Sequence, residues 1–161
     1  MIDALIDERK KKLERLRKTG INPYPADSRR THAIGDAIAN FSKLEKKKTK
    51  VSLVGRVVGF RNQGNLFFLD VRDESGTIQF VVKKDSFRGD YALFRDALDI
   101  GDFVEGTGIL FKTKRGEKSI AANALKFLTK ALRPIPSEWY GISDAETRLR
   151  RRYLDLQLHE D

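Results

Sequence analysis

The chain has 161 residues, room for one domain with a real hydrophobic core and some added elements. Apolar residues make up 40% and charged residues 34%, a folding rather than a disordered composition, and no cysteine is present for a disulfide or a thiolate metal site. Lys and Arg outnumber Asp and Glu by 32 to 23, a net charge of +9 that favours a polyanionic partner, nucleic acid ahead of an anionic membrane.

The N-terminal stretch "MIDALIDERKKKLERL" puts charge into every turn, so it has no signal-peptide core. No run reaches the ~18 apolar residues of a membrane span. The expectation is a cytoplasmic protein.

Periodicity predicts a helix over 2–18, with Ile2, Leu5, Ile6, Leu13 and Leu16 near one face and Arg9 interrupting it. Gly20 is placed to end it, and Pro23 and Pro25 force an extended segment. A second helix is expected from Ala33 to Leu44, with Thr31 as a candidate N-cap. "EKKKTK" (Glu45 to Lys50) then reads as a charged linker.

From Val51 the period becomes alternating. Strands are expected at 51–61, 66–73, 76–83, 102–113 and 118–127, with turns at "DESG" and "KRGE". Phe87, Tyr91, Phe94 and Leu98 recur at helical spacing, predicting a helix over 86–98. Gly55 and Gly59 permit the sharp coiling that a small closed barrel needs. Three strands, a helix and two strands make the OB-fold layout, a barrel that often binds oligonucleotides. The fold class is therefore mainly β with flanking helices: a five-stranded OB-fold barrel with an N-terminal helical extension. A generic five-stranded α+β domain is the competing layout. "KALRPIPSEWYG" reads as a linker stiffened by proline, followed by a helix capped by Ser143 or Asp144 whose Leu149, Tyr153, Leu156 and Leu158 form a partial apolar face. The expected division is 1–48, 49–129 and 130–161.

Side chains alternate along a strand. In "LFFLDVRD", Phe67, Leu69 and Val71 must face inward, because the other parity buries Asp70 and Arg72. Phe68 therefore points outward. By the same parity Ile78, Phe80 and Val82 face inward, and Thr77, Gln79 and Val81 outward, so Phe68 and Gln79 share the outer face with Arg61 at its rim. An aromatic ring, an amide and a guanidinium suit one unstacked base: stacking, edge reading and contact with phosphate or the base plane. The bland reading is a ring packed under a loop and a solvated amide.

Several shorter patterns carry nothing. "GFRNQGNL" has P-loop glycine spacing without the Lys-[Ser/Thr] ending. His32 and His159 lack companions at metal-ligand spacing, and "NFS" sits on a predicted helix. "EKKKTK" and "RLRRR" are more often solvated charge than specific contacts; the basic N-terminal helix, with Lys10, Lys11 and Lys12, is a stronger candidate for RNA phosphate.

"LVGRVVGFRNQGNLFFLDVRDESGTIQF", "LDIGDFVEGTGILFKTKRGEKSI", "LTKALRPIP" and "RLRRRYLDL" resemble the N-terminal part of class II lysyl-tRNA synthetases. The similarity runs from "GINPYP" to Leu156. It implies that the barrel binds the anticodon of a lysine tRNA, with Phe68 stacking on the middle uridine and Gln79 and Arg61 hydrogen-bonding to it. Glu117 also matches a residue near the anticodon, or is simply a turn carboxylate paired with Lys114 or Lys118. Asn65 stands where the family often has lysine. The resemblance further implies that a catalytic domain, which would use ATP and Mg2+, begins near "RLRRRYLDL", and that its motifs lie beyond this sequence. On that reading the chain binds tRNA, uses no cofactor itself and makes no lysyl-adenylate, whereas the parent enzyme is a homodimeric lysine–tRNA ligase. The alternatives are a nonspecific single-stranded nucleic-acid binder of the same fold and a protein-interaction or dimerisation domain.

Overall fold

The computed structural model describes residues 2–135 and 144–158. Five strands, β1 (Lys50–Asn62), β2 (Leu66–Asp73), β3 (Gly76–Lys83), β4 (Phe103–Lys112) and β5 (Lys118–Thr129), close into a barrel in the order β1-β2-β3-β5-β4. Neighbours are antiparallel except β3 and β5, which run parallel. The inward set of β2 is Phe67, Leu69 and Val71 and that of β3 is Ile78, Phe80 and Val82, all buried, as strand parity requires. The two glycines of β1 let backbone and side chains approach closely. A Cβ at Gly55 would overlap the Arg72 carbonyl, and one at Gly59 would overlap the Asp70 carboxylate. The β1–β2 register shifts between Val57 and Gly59, a bulge that bends the strand.

Helix α1 (Ile2–Lys18) buries only Leu13 and Leu16 of its apolar set; Ile2 and Leu5 stay exposed. Gly20 turns the chain at φ +80. Arg9 does not break the helix's packing face. Its guanidinium donates to the carbonyls of Ile100, Ala131 and Arg133 at 3.1, 3.3 and 3.3 Å, tying α1 to the chain leaving the barrel.

The expected helix over 33–44 is instead two, α2 (Ile34–Ala39) and α3 (Phe41–Lys46), joined at Asn40. Thr31 does not cap it. Thr31 bonds Ser52 of β1, while the Ile34 and Gly35 N–H groups donate to Asp73 Oδ2 (2.8 Å) and Ser75 Oγ (2.7 Å) of the β2–β3 turn. The helix predicted over 86–98 is shorter. A 3-10 turn at Lys84–Ser86 is followed by extended chain through Gly89 (φ +133), and α4 (Tyr91–Ala97) starts only after Asp90, whose carboxylate accepts the Leu93 N–H at 2.9 Å. Phe87 keeps its place against Tyr91 and Phe94, which explains the helical spacing without a helix there. Phe94 stacks on Phe127 across the end of the barrel, with ring centroids 5.3 Å apart.

The C-terminal helix is also two, α5 (Ala145–Arg150) and α6 (Arg152–Leu158), with Asp144 as N-cap. The alternative cap Ser143, the second half of the expected linker and His159 lie outside the described residues. Gln157 of α6 accepts a hydrogen bond from Arg56 at 3.0 Å, whose guanidinium lies over the Phe103 ring. Leu149, Tyr153 and Leu156 are exposed. Among the described residues, no helix is long and apolar enough to cross a membrane.

Candidate nucleic-acid interface

The two phenylalanines of β2 part as their parity demands. Phe67 is fully buried between Phe60 and Tyr91, with ring centroids 5.7 and 5.3 Å away. Phe68 lies on the outer face, half-buried, directly across from Arg61 of β1. The Arg61 guanidinium carbon is 5.5 Å from the Phe68 ring centroid, within cation–π range. The same guanidinium donates to Asp70 Oδ1 at 3.4 Å. Asp70 reaches over Gly59, so the missing Cβ there lets the carboxylate hold Arg61 beside the ring.

Across β3 the register sets Val81 opposite Phe68 and Gln79 opposite Asp70. Ser119 of β5 is the partner of Gln79 on the other side. Arg61, Phe68 and Gln79 thus share one outer surface that runs from β1 to β3. Their degree of exposure differs from the expectation. Strand parity sets Gln79 and Val81 outward, yet each is only 5% exposed. β3 is flanked on both edges, so its outer residues sit between Phe68 on one side and β5 on the other.

Gln79 is also oriented. Its Oε1 accepts a hydrogen bond from Ser119 Oγ at 3.1 Å. Its amide nitrogen has no partner among the described residues. No buried side-chain nitrogen or oxygen there lacks a hydrogen bond, so this N–H2 group reaches solvent. The site therefore offers a donor beside an aromatic face, the complement of a base carbonyl. Ser119 carries no sequence signal of this role, because the β3–β5 pairing that brings it to Gln79 is nonlocal.

Glu117 sits in the β4–β5 turn, exposed, with its backbone held by Thr113: Thr113 N–H donates to the Glu117 carbonyl at 2.9 Å and Glu117 N–H to Thr113 Oγ1 at 3.1 Å. Among the described residues its carboxylate forms no ion pair with Lys114 or Lys118. It lies two residues from Ser119, at the margin of the Gln79 surface. Lys10, Lys11 and Lys12 are on α1, and each faces a carboxylate: Asp7 at 3.6 Å, Glu8 at 2.8 Å and Asp99 at 2.7 Å. The hydrogen bond and charge of Lys11 hold the Glu8 carboxyl below its usual range.

Residues 51–128 match the family described as OB-fold nucleic acid binding domain. The chain is 45% identical over 157 residues to the lysine–tRNA ligase of Roseiflexus sp. (strain RS-1), a match that takes in 96% of this chain and 32% of that protein. It is 42% identical over 162 residues to the lysine–tRNA ligase of Xanthomonas campestris pv. campestris (strain 8004), covering 96% and 32%. The lysine–tRNA ligase of Bacillus subtilis (strain 168) is 40% identical over 159 residues, with 95% and 32% covered. The chain spans about a third of the length of the curated relatives it matches.

Proposed function

We propose, from the match of residues 51–128 to the OB-fold nucleic acid binding domain and the 45% identity to a lysine–tRNA ligase, that the chain is part of such a ligase and that its barrel recognises the anticodon loop of a lysine tRNA. The observation that carries this reading is the pairing of a half-buried, outward-facing Phe68 ring with the open amide N–H2 of Gln79 on one outer wall. The middle anticodon base stacks on Phe68, a contact worth ~1–3 kcal/mol per base. Gln79 donates to a carbonyl of that base, which favours uracil over a base with an amino group at the same edge. Arg61 stays stacked against the ring and turns its remaining N–H groups to the base or a phosphate. Glu117 borders the same pocket. Lys10, Lys11 and Lys12 rank second for phosphate contact, because each already faces a carboxylate.

On this reading residues 1–48 are a helical extension, 49–129 the anticodon-binding unit, and 130–161 lead toward a catalytic region in the parent protein. The parent is a cytoplasmic, homodimeric lysine–tRNA ligase in which ATP and Mg2+ serve the catalytic region. The test is a titration of the chain with the lysine anticodon stem-loop and with a stem-loop changed at the middle base. Selective binding supports anticodon reading. Equal affinity for both, and for a homopolymer, assigns the barrel to nonspecific single-strand binding instead.

A further inference from the structure

Helix α3, which leads into a lysine-rich run, is packed against the β4–β5 hairpin. The Lys112 N–H donates to Glu45 Oε1 at 3.2 Å, and Lys118 Nζ lies 5.5 Å from the ring centroid of the buried Phe41 that anchors α3. Two basic segments far apart in sequence thereby form one surface. Lys43, Lys46, Lys47, Lys48 and Lys50 come from one side, with Glu45 as the only acid among them, and it is turned to the hairpin backbone. Lys112, Lys114, Arg115 and Lys118 come from the other.

All of these cations are exposed, and among the described residues none is in an ion pair. This contrasts with Lys10, Lys11 and Lys12 of α1, each of which has a carboxylate partner. Interaction with the dipole at the end of α3 accounts for Lys43 and Lys46. It does not account for the cations beyond the helix.

Lys48 adds an independent observation. It is the one non-glycine residue with positive φ among the described residues, at φ 49, and it closes α3 with its N–H on the Glu45 carbonyl at 3.0 Å. Glycine is the residue favoured at such a helix end. A lysine there retains backbone strain and keeps a cation at the crest of the patch. The patch shares the β4–β5 turn with Glu117, whose carbonyl lies 3.4 Å from Ser119 Oγ at the margin of the base-reading wall, whereas Lys118, next to Ser119 on β5, turns to the opposite face and toward Phe41.

We propose that the turn after α3 and the β4–β5 hairpin form a phosphate-binding surface that carries the RNA backbone away from the base stacked on Phe68. The ligand chemistry is consecutive phosphodiesters of single-stranded RNA. The inference rests on the anticodon reading above and assigns the phosphate contacts to a surface other than α1.

The test measures stem-loop affinity against salt, from about 50 to 200 mM, for the wild-type chain and for K46Q/K47Q, K48G and K10Q/K11Q. K46Q/K47Q should lower the log–log salt slope by about 1.4, or about 0.7 for each single-strand phosphate that the variant leaves without a cation, and should leave selectivity for the middle base intact. K48G should melt no lower than wild type and still bind more weakly, a combination that a purely structural lysine cannot produce. A slope unchanged in K46Q/K47Q, or a larger loss in K10Q/K11Q, overturns the proposal while leaving base reading standing. A lowered slope with no base selectivity refutes the base reading and upholds the patch. Absence of RNA binding by the wild-type chain overturns both.

Discussion

Ser119 Oγ and Gln79 Oε1 are joined by a 3.1 Å hydrogen bond across β3 and β5, the parallel pair in the barrel. The bond, shorter than the 3.4 Å approach of the same hydroxyl to the Glu117 carbonyl, turns the amide oxygen to Ser119 and the N–H2 group outward. Removing it lets the amide rotate and offer a carbonyl where the base needs a donor. Ser119→Ala should therefore reduce discrimination at the middle base more than overall affinity. A neutral hydrogen bond contributes about 0.5–1.5 kcal/mol, so discrimination should fall between about twofold and tenfold. Competition between the two stem-loops measures it. Discrimination unchanged from wild type would mean that Gln79 is oriented by something other than Ser119.

Phe67 and Phe68 are neighbours with opposite jobs, and truncating each should separate them. Phe68→Ala should weaken stem-loop binding by ~1–3 kcal/mol and leave the urea midpoint nearly unchanged. Phe67→Ala empties a site between Phe60 and Tyr91 and should destabilise the fold by about 3–5 kcal/mol. Paired urea melts and anisotropy titrations distinguish the two. A large stability loss in Phe68→Ala would mark that ring as core and remove the stacking platform.

The strand parity that separates these two rings was legible in the sequence because Asp70 and Arg72 forbid the other arrangement. The five strands were legible for the same reason, and their observed bounds lie within two residues of those expected. What the chain hid was tertiary. The cap of α2 comes from Asp73, 39 residues away, while the nearby Thr31 bonds β1. Phe87 has helical spacing but packs on α4 from an extended segment. Gln79 was placed on the correct wall, yet its near-complete burial and its serine partner depend on β5 lying alongside, which periodicity within β3 does not report.

Asp73 also makes acid sensitivity predictable. Burial opposes its ionisation, but donors from Ile34, Ser75 and Gly76 outweigh that effect and hold its carboxyl below the usual range. A folded-state value below the unfolded one stabilises the protein above the unfolded pKa, and the gain is lost as pH falls through the folded pKa. Asp73→Asn keeps one acceptor oxygen but loses the other and the charge, and should thus cost about 0.5–1.5 kcal/mol at neutral pH, the net contribution of a lost hydrogen bond. The gap between variant and wild type should close as pH drops below the ordinary carboxylate range. Urea unfolding at several pH values checks this; a gap that persists into strong acid would mean that the charge of Asp73 contributes nothing.

Lys130 is a buried charge, its side chain 0% exposed where the chain leaves the barrel. Its Nζ donates to Asp99 Oδ2 at 2.6 Å and to both oxygens of Asp102 at 3.0 Å. Asp102 in turn accepts the N–H groups of Asp99 and Ala131 at 2.8 Å, and Lys12 of α1 reaches Asp99 from outside. Tyr24 donates its hydroxyl to the Lys130 carbonyl at 2.8 Å. The cluster thus clamps α1, the 99–102 loop and the barrel's last strand together. Lys130→Met removes the cation and leaves Asp102 buried without it, a loss expected at about 3–5 kcal/mol. Adding Asp102→Asn removes the stranded charge and should recover part of that loss. Recovery should be incomplete, because asparagine has one acceptor oxygen for two backbone donors. A double variant no more stable than Lys130→Met would show that the stranded charge of Asp102 is not what destabilises the junction.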